Sequence, residues 1–152
     1  MKKIFLLVII SLLLITGCKK ENDITKMSLK SILKTSTKGA QLPDNYITKI
    51  TKDNFEDYFG DADIDFKEAI VSETKINAIA YMIGIIRLNN NVDTQKSADI
   101  LKNSVDPNRW ICVVPDSVII DSNQNVIIVI MASSDNADTI HNNFKNIKKP
   151  SR

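Results

Sequence analysis

Histidine is nearly absent from this chain, and its scarcity removes whole classes of chemistry. The 152 residues hold one, His141, which excludes His-rich metal sites and makes any serine–histidine–acid triad depend on a single position. His141 falls on the last expected helix beside an apolar stripe, the place of a boundary residue rather than of a ligand or a base. Cysteine is almost as rare: the two residues, Cys18 and Cys112, do not have the paired spacing that holds zinc. Neither a Gly-x-Ser-x-Gly elbow nor a phosphate-binding glycine loop occurs. Net charge is also lacking. The formal charge is +2, and Lys2 and Lys3 account for it, so the remainder balances to about zero. A neutral domain has no electrostatic footprint for nucleic acid or for an anionic membrane surface. No cofactor is expected from these parts.

Long apolar runs are absent except at the start. Lys2 and Lys3 precede Ile4 to Ile15, interrupted only by Ser11. The run is too short to cross a hydrocarbon core of roughly 30 Å comfortably, and its layout is that of a secretory signal. It ends in Ile15-Thr16-Gly17-Cys18, which resembles the lipobox of bacterial lipoproteins. Small residues let a peptidase approach the backbone, and the thiol is the nucleophile that takes a diacylglyceryl group. Cleavage before Cys18 and lipid on Cys18 are expected, and two acyl chains suffice for stable anchoring. Residues 1–17 are then a signal peptide, 18–27 the lipidated cysteine with a polar tether, and 28–152 one domain. With no second run of spanning length, that domain is expected to be soluble and extracytoplasmic, held to the outer face of the cell membrane.

The mature length is one domain's worth of chain, enough to bury a core without disulfide staples. Lysine far exceeds arginine, and isoleucine and asparagine are abundant, a usage that points to an AT-rich genome of the low-GC Gram-positive kind.

Along the chain, Ser28 caps a short helix with Leu29, Ile32 and Leu33 at helical spacing, ending near Gly39. Leu42-Pro43-Asp44 is a turn. Thr51 caps a second short helix in which Ile50 and Phe55 occupy staple positions, Phe55, Tyr58 and Phe59 share a face, and Gly60 terminates. Phe66 to Val71 and Ala78 to Leu88 read as strands. Asp93 or Thr94 caps a helix carrying Ala98, Leu101 and Val105. Val118 to Asp121 and Val126 to Ala132 form a hairpin through Ser122-Asn123-Gln124-Asn125. Ser134 or Asp135 caps a last helix with Ala137, Ile140, Phe144 and Ile147 aligned. The order ααββαββα predicts an α+β domain around a mostly antiparallel four-stranded sheet. Ala78 to Leu88 and Val126 to Ala132 are apolar at odd and even positions alike, so both sheet faces should be covered. The two C-terminal helices are expected on one face. The N-terminal helices or a partner are expected on the other.

This order of elements resembles the small lipoproteins of Clostridia-type bacteria that carry the domain of unknown function numbered 4358. The resemblance runs from about Leu29 to Ile147. It rests on the lipobox, the segment Asn54-Phe55-Glu56-Asp57-Tyr58-Phe59-Gly60, the strand Ala78 to Arg87 feeding a helix, and Val126 to Met131 followed by Asp138-Thr139-Ile140 and Phe144. The chain departs from the pattern in its weakly charged helix after Asp93 and in Pro107 and Trp110. The resemblance implies no activity.

Candidate chemistry is sparse. Cys112 lies in Trp110-Ile111-Cys112-Val113-Val114 with no neighbouring cation to lower its pKa, and reads as a buried small hydrophobe. Asp61-Ala62-Asp63-Ile64-Asp65 resembles a calcium loop only in its alternation. Phe66 and Ser72 stand where an EF-hand needs glycine and glutamate, so the cluster reads as a solvated strand entry. Lys148, Lys149 and Arg152 form a basic tail that keeps the terminus soluble. Tyr46, Arg109 and Trp110 are the candidate recognition residues, because aromatics and arginine anchor interfaces, with a place in the core equally open to Trp110. With no catalytic residue or metal ligand identified, the expected function is a non-enzymatic binding module whose partner is an envelope protein, a wall component or a small ligand. The alternative is an envelope hydrolase built from scattered carboxylates, which would require a cleft lined by at least two of them.

Overall fold

The computed structural model describes residues 23–148. The expected signal peptide, Cys18, Lys149 and Arg152 lie outside them. The elements in order are α1 (Leu29–Ser36), β1 (Asn45–Ile50), a 3-10 turn (Lys52–Asn54), α2 (Glu56–Phe59), β2 (Phe66–Thr74), β3 (Met82–Leu88), α3 (Thr94–Ser104), β4 (Ser117–Asn123), β5 (Val126–Ala132) and α4 (Ser134–Lys145). The five strands form one sheet in the order β1-β2-β3-β5-β4, and every neighbouring pair is antiparallel.

The α+β class is as expected, but the sheet has five strands rather than four. The added strand is β1, which pairs along the outer edge of β2 with Asn45 opposite Thr74 and Ile50 opposite Ala69. β3 begins at Met82 rather than Ala78, and β2 extends to Thr74. The local signals explain the helices. Ser28 Oγ accepts from Ser31 N at 3.2 Å, and Asp93 Oδ1 accepts from Lys96 N at 3.0 Å, each satisfying an otherwise orphaned donor of a first turn. Asn54 Oδ1 accepts from Thr51 N at 2.8 Å, and Gly60 ends α2 with φ 69°, a conformation that favours glycine. The cap of α4 is Ser133, one residue earlier than expected.

Both faces of the sheet are covered, but not in the expected way. The two C-terminal helices lie on opposite faces. One face packs Ile83, Ile85, Ile128 and Ile130 against Leu29, Ile32 and Leu33 of α1 and Ala137, Ile140 and Phe144 of α4. The other packs Ile86, Ile127 and Val129 against Phe55 and Phe59 around α2 and Ala98 and Leu101 of α3. The cause is the strand order. The chain leaves β3, crosses one face as α3 and enters the sheet at its far edge as β4. β5 then returns between β3 and β4, and α4 covers the face left open. Each face therefore receives one N-terminal and one C-terminal helix.

Two ends of the sheet concern function. Met82, Met131, Ser117 and Thr74 mark one end through their pairing, and the segments 40–44, 75–81, 106–116 and 132–136 gather there as a loop pole. Arg87, Val126 and Asn123 mark the other. There the described chain begins, so this end is the entry pole. Asp23 and Ile24, expected in a polar tether, are buried, Ile24 completely, so residues 23–27 belong to the packed domain rather than lying outside it.

Candidate functional site

Large apolar side chains that find no cover collect at the loop pole. Ile111 is 97% exposed, Val114 62%, Ile76 48% and Ile79 38%. Of these, Val114 and Ile79 line a cleft of about 500 Å³, together with Leu42, Pro43, Tyr81, Val113 and Pro115; Ile111 and Ile76 belong to the same two connections. Polar groups on its wall are Gln41, Asp116, Ser133 and Asn136. Asn136 is occupied: its Nδ2 donates to Gln41 O and its Oδ1 accepts from Gln41 N, both at 2.9 Å. That pair pins the segment after α1 to the first turn of α4. The β2–β3 connection is held similarly, with Lys75 N donating to Asp44 O at 2.9 Å and Thr74 N to Tyr81 O at 3.2 Å. At the floor, Tyr81 Oη lies 3.3 Å from Ser72 Oγ, which donates to Asn45 Oδ1 at 3.1 Å. Burial pushes the Tyr81 phenol up.

On the face covered by α2 and α3, two of the expected recognition residues, Tyr46 and Arg109, converge on one carboxylate, Glu73. Tyr46 Oη donates to Glu73 Oε1 at 2.7 Å, and Arg109 Nη2 lies 3.6 Å from Glu73 Oε2. The Arg109 guanidinium stands over the Tyr58 ring at 5.0 Å and over Trp110 at 5.6 Å, and its Nη1 donates to Tyr58 O at 3.4 Å. Because the hydrogen bond to Glu73 holds its proton, the Tyr46 phenol is pushed up to about 12. Burial pushes Tyr58 up as well. The cluster ties the α3–β4 connection to β1 and β2. Trp110 is half-buried and packs against the core on that face, so it is mainly structural. Sequence reasoning missed Glu73 and Tyr58 as site residues. Glu73 is recognisable only once β1 is seen, because the Tyr46–Glu73 contact is a cross-strand pair.

Cys112 corrects an expectation: it is exposed. Its apolar run lies in the irregular connection between α3 and β4, where no second layer covers it. The remaining candidates sit elsewhere. His141 of α4 pairs with Asp121 of β4, Nε2 to Oδ2 at 2.6 Å. Burial raises the Asp121 carboxyl, but hydrogen bonds from His141 and Ser122 N and the nearby Lys145 outweigh it, and the net shift is downward. Asp65 accepts from Asn89 Nδ2 at 2.9 Å, while Asp61 lines a shallow surface beside Asn103 and Ser104. No group of three His, Cys, Asp or Glu side chains among the described residues is placed to hold a metal ion. Lys148 is exposed at the end of the described chain. What the loop pole offers chemically is an apolar recess with one carboxylate, Asp116, at its wall. No family model, no curated protein and no solved structure matches this chain.

Proposed function

We propose that this chain is a lipoprotein anchored by lipid on Cys18 to the outer face of the cell membrane, and that its domain is a non-enzymatic binding module acting through the loop pole. Membership among the small lipoproteins carrying the domain of unknown function numbered 4358 belongs to the same proposal. One observation carries the binding role: the 75–81 and 106–116 connections expose Ile76, Ile79, Ile111 and Val114, of which Ile79 and Val114 line a cleft, while both sheet faces are filled from within the chain. Clustered apolar exposure on an otherwise well-covered domain marks an interaction surface. The hydrolase alternative gains no support from the cleft, whose lining carries one carboxylate, Asp116.

Two measurements test the reading. Intact mass of membrane-fraction protein should show cleavage before Cys18 and acyl chains on it. A photoreactive residue placed at Ile111 in living cells should give a discrete crosslinked product. The same group at Lys67, near the entry pole, should not. Equal crosslinking at both positions, or none at Ile111, removes the assignment of the loop pole.

A further inference from the structure

Arg87 is a buried cation whose donors are used to hold the place where the chain enters the domain. It sits near the end of β3 at 4% exposure. Its Nε donates to Glu68 Oε1 at 2.8 Å. Nη1 donates to the carbonyls of Ile24 at 3.3 Å and Thr25 at 2.6 Å, and Nη2 to that of Met27. The segment is folded to present those carbonyls: Asp23 Oδ1 accepts from Thr25 N at 3.0 Å and from Thr25 Oγ1 at 2.8 Å, and Ile24 is buried beneath. Burying a guanidinium is costly unless its donors are satisfied, and here every nitrogen has a partner. The planar fork is what permits three carbonyls and a carboxylate to be gathered at once, which a lysine ammonium cannot reproduce.

Chain length adds a second constraint. Cys18 and Asp23 are five peptide steps apart, a reach of at most about 18 Å. The seven residues of β3 alone separate the two poles by about 20 Å, and the loops project further. A domain held at its entry pole on so short a lead cannot be inverted to press the loop pole onto the bilayer.

We propose that the Arg87 clamp fixes the tether's exit at the entry pole and so keeps the apolar loop pole, with Ile111 and Val114, on the membrane-distal side and away from the anchoring bilayer. The proposal rests on the reading of Cys18 as the anchor. Ile111 and Val114 are thereby not membrane-inserting residues.

The test uses the full acylated protein in phosphatidylcholine–phosphatidylglycerol vesicles carrying acceptor-labelled lipid. A donor fluorophore is placed on the native, exposed Cys112 of the loop pole, and in a second protein on Asn90→Cys with Cys112→Ser, beyond β3 at the entry pole. The closest approach to the bilayer should be about 20 Å greater for the first donor, the length of β3. In Arg87→Lys, shown by thermal melting to be folded, that difference should fall toward zero. Should Arg87→Lys not fold, Asp23→Ala, which removes the turn presenting the carbonyls, takes its place. A Cys112 donor as close to lipid as the Asn90→Cys donor overturns the proposal, and an unchanged difference in the clamp variant overturns the role of Arg87. Intact mass of the same preparations separates the two readings. Absence of acyl chains on Cys18 overturns the anchor and the proposal together, whereas acylated protein with equal approaches overturns the orientation alone.

Discussion

Glu73 divides its oxygens between Tyr46 and Arg109, and the two partners report different losses. Glu73→Gln removes the charge that holds the Tyr46 proton, so the phenol should titrate below its present value of about 12, moving back toward the ordinary tyrosine range in an ultraviolet titration. Arg109→Ala strands a nearly buried carboxylate and unties the connection at 106–116. The expected cost is about 1–3 kcal/mol, the penalty for leaving such a group short of a partner. It would appear as a lower midpoint in urea and as faster proteolysis within that connection. Asp121 makes a separate prediction with a definite sign. Its folded pKa lies below the ordinary value, with His141 among the causes. The pairing therefore contributes stability above the unfolded pKa of about 3.9 and loses it as pH falls through the folded value. Asp121→Asn should destabilise the domain at pH 7 and cost progressively less toward pH 3. A constant difference across that range would mean that the effect comes from packing rather than charge.

Among the α-helices, α2 is the shortest, and its last residue packs on a bare stretch of β3. A Cβ added at Gly84 would stand 2.6 Å from Phe59 Cε1 and 2.8 Å from its Cζ, and Phe59 is fully buried. Gly84→Ala is expected to cost about 1–3 kcal/mol as an overpacked core, with part of it recovered in the double variant Gly84→Ala, Phe59→Leu. Additive losses in a thermal or urea cycle would show that the ring is not what limits the site. The same elements show what the sequence could reveal. β5 coincides residue for residue with its expected range because an unbroken apolar run flanked by turn residues has few other fates. α1 and α3 announced themselves through Ser28 and Asp93. β1 did not: Asn45-Tyr46-Ile47-Thr48-Lys49-Ile50 is a half-exposed edge strand, whose side chains lack both the continuous run of a central strand and clean alternation. Without β1, Tyr46 and Glu73 were not recognisable as a cross-strand pair, and the recognition residues had no common centre. Cys112 was misread for a related reason, since apolarity alone does not distinguish a strand from an uncovered loop. The face taken by each C-terminal helix was equally hidden, because it depends on β5 inserting between β3 and β4 rather than on any local pattern.

At the scale of the molecule, stability depends on two thin layers that the N-terminal third completes. Leu29, Ile32 and Leu33 close one face beside α4, while Ile50, Phe55 and Phe59 close the other beside α3. Full burial of such side chains contributes roughly 1.5–3 kcal/mol each, so the six together supply about 9–18 kcal/mol, as large as the whole net stability of a typical domain at about 5–15 kcal/mol. Deleting residues 19–60 also strips β1 from β2 and leaves a new unpaired edge. The shortened chain should lose its cooperative thermal transition and associate, as read by calorimetry and by light scattering. It should do so even though α3, α4 and the four remaining strands are intact in sequence, because each face would keep only half its cover. A truncated domain that stays monomeric, soluble and cooperatively folded would mean that the C-terminal helices alone suffice. The N-terminal third would then be free to serve binding instead of the core. The opposite result assigns the N-terminal third to the core, as the packing of Leu29, Ile32, Leu33, Phe55 and Phe59 implies.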